Sequence, residues 1–384
     1  MKLCFVCSEY PPGPHGGIGT MTQVLCRVLA GAGHEVRVTG VYPAQYPAPD
    51  YEQDQGVRIW RLREPANPAG WLQARSRLYR MVSDWVGERA VELIEAPDYQ
   101  GWTAGWRRLS APLVIRLHGS ETYFAAELGR RVSRVAFWLE RAALRRADFW
   151  CSVCRYTAEK TRQVFRLRSH PSAILYNPVE VPLVLPERKP AGRNVVFSGT
   201  LTPKKGIVSL VQCWPSVARA YPDAELHIFG KHGRSDTGES MREYLISLLP
   251  SETRGSVHFH GHVAREVLRE ALAGARAAVF PSYAEAFPVA PLEAMSVGCP
   301  TIASRRGSGP ELLGDQREGL LVDPDRPEEI AAAIQRLLSS ERLAEQIGAA
   351  GRERVRRDFS AGNLLNRNLG FYQECVARFS AATR

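Results

Sequence analysis

Short apolar runs alternate with longer helical patterns along almost the whole chain. Strand-like runs are read at 2–8, 36–39, 57–62, 93–98, 112–117, 149–153 and 173–175, and again at 195–199, 225–230, 257–263, 277–280 and 319–322. Helical patterns fall between or after them, at about 20–32, 127–147, 155–165, from 207, and at 325–339, 341–356 and 359–379. A strand that is apolar along its whole length is buried on both faces, which a parallel sheet covered by helices provides. Alternation of this kind predicts the α/β class, with two doubly wound, Rossmann-like parallel-sheet domains facing a cleft. A Pro-rich stretch with Pro178, Pro182, Pro186 and Pro190 reads as a linker. The expected division is 1–180, a linker at 181–192, a second domain at 193–357 and a terminal helical segment at 358–384. No internal repeat or low-complexity tract competes with this division.

Composition excludes several classes. With 45% apolar residues among 384, the chain can fill more than one core. It has no apolar run long enough to span a bilayer. Its first residues read as a strand, not a signal peptide. Eight cysteines are scattered. The pairs Cys4/Cys7 and Cys151/Cys154 lie in apolar runs and do not converge on a zinc site. They are expected to be reduced core residues of a cytoplasmic protein. The formal charge of +10 implies an affinity for anions. No zinc-finger or RNA-sheet signature accompanies it, so no nucleic-acid partner is expected.

The densest chemical signal follows the apolar run 277–280. Pro281 and Ser282 end that run, and Glu285 lies in the loop beyond. Pro291 fits the first turn of the next helix, and Glu293, eight positions after Glu285, is expected in the same turn. Unpaired amides at a helix start suit a phosphate. Two carboxylates beside an anion site suit a ligand with hydroxyls and phosphates, such as a sugar nucleotide. Two solvated acids on a surface loop are the plain alternative.

Other stretches fit the same ligand. The loop from Pro11 to Gly19 is rich in Gly and Pro and opens a helix, so Gly16 and Gly17 let a phosphate approach the backbone. Its spacing lacks the Gly-x-Gly-x-x-Gly and trailing acid of a nicotinamide site. His118 stands at the carboxyl end of the strand at 112–117, where open α/β sheets bind ligands. Ser198, Gly199 and Thr200 end the first strand of the second half, and Lys204 and Lys205 follow before a helix. A lysine there is a natural phosphate contact. His258, His260 and His262 alternate on a strand, but no acid completes a metal set, and no metal is expected. The stretch 127–147 carries six arginines with Trp138 and Phe137 among them. As one basic helix it could rest on an anionic bilayer, although a core helix with a solvated basic face is the plainer reading.

The phrase from Phe280 to Ala303, with Glu285, seven residues and Glu293, resembles the signature of retaining glycosyltransferases of the family-4 type (glycosyl transferases group 1). The similarity extends to Gly16–Gly17, the strand-end His118–Gly119 and Lys205–Gly206. It implies the GT-B architecture, with the last helix crossing back to the first domain. It implies a nucleotide-diphospho-sugar donor as co-substrate, with no cofactor and no metal. By this resemblance Lys205 neutralises the departing diphosphate, helped by the Gly16 and Gly17 amides. Glu285 holds donor-sugar hydroxyls, Glu293 reads the ribose, and His118 positions the sugar. Donor contacts are implied at Ser198, Gly199, Thr200, Lys204, Lys205, Ala286, Phe287, Pro288 and Val289. The turns at Gly230 and Val263 are implied to flank the base. Two positions depart from the family pattern. Thr200 stands where Arg is usual, and Pro288, lacking an N–H, cannot give a phosphate an amide.

The function so implied is transfer of a hexose-type sugar, from a UDP-sugar in the first instance, to a glycan, lipid-linked glycan or small glycoside. The location implied is the cytoplasm or the inner face of its membrane. The rivals are a sugar-nucleotide 2-epimerase, a pyridoxal-dependent phosphorylase and a non-catalytic anion- or membrane-binding protein.

Overall fold

The computed structural model describes residues 1–182, 192–231, 233–235 and 238–383. Most of the expected linker, including Pro186 and Lys189, lies outside the described residues. The chain divides into two compact units, residues Met1–Pro178 with the terminal helix, and Val179–Ser360.

The first unit runs β1 (Lys2–Val6), α1 (Gly17–Gly31), β2 (Glu35–Tyr42), β3 (Tyr51–Asp54), β4 (Val57–Arg63), α2 (Gly70–Gly87), β5 (Leu93–Pro97), β6 (Leu113–Leu117), α3 (Glu121–Glu127), α4 (Arg134–Arg146), β7 (Phe149–Ser152), α5 (Arg155–Phe165) and β8 (Ala173–Ile174). Its sheet has the order β3-β4-β2-β1-β5-β6-β7-β8. Every pairing is parallel except that of β3 with β4. The central strands are largely apolar because helices cover both faces. One core packs Leu3, Phe5 and Val38 against α1, the other Cys4, Ile94 and Ile115 against α2.

The second unit runs β9 (Arg193–Ser198), α6 (Ile207–Ala220), β10 (Ala224–Phe229), α7 (Met241–Ser247), β11 (Val257–Gly261), α8 (Arg265–Ala273), β12 (Ala277–Phe280), α9 (Val289–Ser296), β13 (Thr301–Ser304), α10 (Gly309–Leu312), β14 (Leu320–Val322), α11 (Pro327–Ser339) and α12 (Glu341–Arg354). Its sheet, β11-β10-β9-β12-β13-β14, is parallel throughout. The last helix, α13 (Ala361–Thr383), belongs to the first unit. There Phe371, Tyr372 and Cys375 enter the core beside α1. Arg116 on β6, with no solvent exposure, is held by both oxygens of Glu95 on β5 at 2.8 and 3.0 Å. It also donates to Asn368 and Tyr372 of α13 at 2.6 and 3.0 Å.

Four local expectations are corrected. The basic stretch 127–147 is not one helix: α3 ends at Glu127, Gly129 takes a positive φ of 62°, and Ser133 caps α4 by accepting the Ala136 amide. Arg130 and Arg131 therefore lie outside any helix. The stretch between the expected strands at 36–39 and 57–62 contains β3, a polar edge strand whose Tyr51 ring packs on Trp60 of β4. Such a strand has no apolar pattern to reveal it. Helix α1 begins three residues early, at Gly17, with Gly16 as its cap. Helix α9 begins at Val289 behind Pro288, so Glu293 lies past the first turn rather than in it. Proline serves as that cap because the position needs no N–H.

All eight cysteines are buried. Among the described residues, no helix is long and apolar enough to cross a membrane.

Candidate active site

In a doubly wound sheet the ligand crevice lies outside the carboxyl ends of the strands where the order reverses. In the second unit that point is between β9 and β12, which are paired neighbours. Lys205 follows β9 and Glu285 follows β12, so the topology delivers both to one place. Lys205 Nζ lies 2.5 Å from Glu285 Oε1, and Ser282 Oγ donates to the same oxygen at 3.0 Å. The Tyr283 amide donates to the Lys204 carbonyl at 2.8 Å, closing the two loops on each other. Burial works against ionisation of Glu285, but Lys205 and Lys204 together hold its carboxyl below the ordinary glutamate range.

Two glycines make this approach possible. Gly206 has φ +70°, and a Cβ there would overlap the Pro281 carbonyl. Gly230 has φ +141°, and a Cβ there would overlap the Gly199 carbonyl. The strand ends Ser198–Gly199, Gly230 and Gly261 thus close against one another. The Gly199 amide donates to Phe229 at 3.0 Å and the Gly230 amide to Gly261 at 2.7 Å, so both donors are engaged within the protein. Ser198 Oγ is buried and has no hydrogen-bond partner among the described residues, so it has a hydrogen bond to give or accept there. Thr200, the departure from the family pattern, is exposed.

Glu293 is placed apart from Glu285 in its interactions. Arg265, at the start of α8, reaches it at 3.2 Å and reaches Glu180 at 2.9 Å. Glu180, Arg265, Arg269, Glu293 and Ser296 line a small pocket with Leu268 and Leu272. Burial outweighs the arginines and raises the Glu293 carboxyl above its ordinary value. Arg265 carries no motif signal: only the packing of α8 beside α9 selects it. Ala286, Phe287 and Val289 are buried. Phe287 packs on Phe359 at 5.4 Å, which leaves backbone groups as what this segment can offer a ligand. Val263 is partly exposed after β11.

In the first unit the order reverses between β1 and β5. The loop after β1 carries Gly16 and Gly17, both exposed at the start of α1. Glu9, which sequence reasoning passed over, donates no hydrogen but accepts the Gly19 amide at 2.8 Å, so a carboxylate already satisfies part of that helix start. His118 follows β6 and is buried, and its amide donates to Asp98 at 2.8 Å. Burial, aided by the charge of Arg116, pushes the imidazole down to about 3, so the ring is neutral at physiological pH.

His258 and His260 share a face of β11, His262 lies past the strand end, and His227 of β10 joins them at 3.0 Å from His260. Among the described residues no group of three potential ligands is arranged to hold a metal.

Known proteins agree with this architecture. Residues 186–354 match the family model of glycosyl transferases group 1, and residues 16–178 match that of a glycosyl transferase 4-like domain. An uncharacterised glycosyltransferase of Methanocaldococcus jannaschii is 26% identical over 97% of this chain and 98% of its own length. Sucrose-phosphate synthase from Thermosynechococcus elongatus superposes with a TM-score of 0.79 at 23% identity, over 98% of this chain and 99% of that one. Anabaena HepE, solved in complex with UDP and glucose, gives 0.71 at 17% identity, over 97% and 100%. With both halves matched by paired family models and the paired parallel sheets in place, the chain belongs to the family-4-type glycosyltransferases of GT-B fold.

Proposed function

We propose that this glycosyltransferase is retaining and metal-independent, and that it moves a hexose-type sugar from a nucleotide-diphospho-sugar to a hydroxyl of a glycan, a lipid-linked glycan or a small glycoside. The observation that carries the reading is the meeting of Lys205 and Glu285 across the β9/β12 switch point. A cation and a hydroxyl-reading carboxylate at one strand end match the two chemical halves of such a donor. In this reading Lys205, with Lys204 and the Gly16 and Gly17 amides, neutralises charge on the departing diphosphate, the kind of contribution that is usually the largest in catalysis. Glu285 holds donor-sugar hydroxyls, and Glu293 exchanges Arg265 for the ribose. Neutral His118 orients the sugar, and the leaving phosphate takes the acceptor's proton. Cationic side chains and helix starts supply the charge that a metal would otherwise supply.

A UDP-sugar is the first donor to test, supported by the Anabaena relative solved with UDP and glucose. Buried thiols suit the reducing cytoplasm. Contact with an anionic bilayer, if the acceptor is lipid-linked, would use the exposed Val135 and Trp138 of α4 with Arg134 and Arg145.

A thermal-shift panel of UDP-, GDP- and ADP-sugars is the direct test, because a ligand of the folded state raises its melting temperature. The donor that stabilises the protein is then given acceptors, with and without EDTA. The expected result is transfer with retained anomeric configuration and no loss in EDTA. An isomerised donor without transfer would favour an epimerase. No stabilisation and no turnover with any donor would sink the reading.

A further inference from the structure

Behind the His118 turn, two carboxylates are sealed from solvent. Asp98, just past β5, is fully buried, and its Oδ1 accepts the His118 amide at 2.8 Å. Its Oδ2 is buried too and meets no hydrogen-bond partner among the described residues. Glu140 of α4, also fully buried, accepts the amides of Glu121 and Thr122 at 2.9 and 3.1 Å. Ser120 Oγ takes the Tyr123 amide at 3.1 Å. Gly119 between them has φ +86°, and a Cβ there would press on the Phe124 ring at 3.0 Å. Four amides of the segment 118–123 are therefore fixed by side chains and not by a strand ladder.

A dry carboxyl with one oxygen unsatisfied is a poor device for stability alone, since burial of an unpaired polar atom is costly. Its one firm bond goes to the residue that heads the turn. We propose that Asp98 is a positioning residue for the transfer reaction: it fixes the main chain at His118 and thereby the aim of the imidazole and carbonyl of that residue. This rests on the role given to His118 above.

The titratable groups nearest Asp98 are Glu140 from α4 and His118 after β6. Arg75 of α2 approaches the adjoining turn through the Gln100 carbonyl at 3.4 Å. Burial lifts the Asp98 carboxyl to about 7, against the hydrogen bond from the His118 amide and with the charge of Glu140. His118 itself is pushed far lower. Burial raises the Glu140 carboxyl as well, so the Asp98→Asn variant is what assigns a titration of this turn to Asp98.

The test uses the full chain, with the donor identified by the panel, and compares Asp98→Asn, Asp98→Ala and His118→Ala. Asparagine keeps an oxygen for the His118 amide, so kcat is expected within about threefold of wild type; alanine removes the contact and is expected to lose about tenfold or more in kcat with donor KM little changed. In ¹⁵N–¹H spectra the His118 amide is expected to titrate near neutral pH in wild type and not in Asp98→Asn. The proposal is overturned by an Asp98→Ala enzyme with undiminished kcat, or by a His118 amide that does not titrate. Should Asp98→Ala fail to fold, Asp98→Asn and the amide titration still decide. Full activity in His118→Ala would instead overturn the role of His118 itself, and loss in His118→Ala with none in Asp98→Ala would overturn only the role of Asp98.

Discussion

Lys205 Nζ and Glu285 Oε1 lie 2.5 Å apart although eighty residues separate them in the chain. The pair is only partly exposed, with 28% and 16% of the two side chains accessible. Lys205→Ala and Glu285→Gln are each expected to reduce turnover by roughly 10²-fold. Their effects should not add, because each residue orients the other. A double variant as poor as the product of the two singles would show that they act independently. Stability should change by only about 0–1 kcal/mol, as for other ion pairs in contact with water, which calorimetry can separate from the kinetic loss.

Gly206→Ala tests the backbone under Lys205. A Cβ there meets the Pro281 carbonyl, and φ is +70°. The expected cost is about 1–3 kcal/mol of stability, together with weaker donor binding, because the Lys205 loop must shift away from Glu285. Unchanged melting temperature and donor KM would contradict the close approach of the two loops.

Arg116 and Glu95 bind α13 to the sheet of the first unit. Arg116→Met leaves Glu95 buried without its cation, and breaking such a pair typically costs about 3–5 kcal/mol. The expected outcome is a large fall in melting temperature and faster proteolysis within 361–383. Glu95→Gln leaves the Arg116 guanidinium buried without its counter-charge and is expected to cost a similar amount.

Asp98 gives a pH dependence of stability with a definite sign. Its carboxyl is raised to about 7 in the folded state, against about 3.9 for an unperturbed aspartate. Between those values the folded chain binds more protons than the unfolded one, so this group's contribution falls as pH rises through that window. Asp98→Asn abolishes the effect. The difference in melting temperature between variant and wild type should therefore move in favour of the variant from pH 5 to pH 8; a difference independent of pH would refute it.

Much of the fold was legible in sequence. The central strands were readable because a parallel sheet covered on both faces demands uninterrupted apolar runs. Glu285, Lys205 and His118 were readable because each stands just past such a run, and Glu293 because it falls near the start of the helix that follows Glu285. The edge strand β3 was not, since a polar strand exposed on one side has no pattern to betray it. The break at Gly129–Ser133 was masked by arginines that suit either helix or loop.

Local periodicity and turn chemistry, which depend on residues a few positions apart, thus determined the α/β class, the strand-end loops and the cation and carboxylates worth testing. Only the tertiary structure decided the partners. Strand order set β9 beside β12 and β5 beside β6, and so joined Lys205 to Glu285 and Asp98 to His118. The packing of α8 on α9 gave Glu293 to Arg265. Such pairings are chosen by long-range burial and strand order, which leave no mark at fixed spacing along the chain.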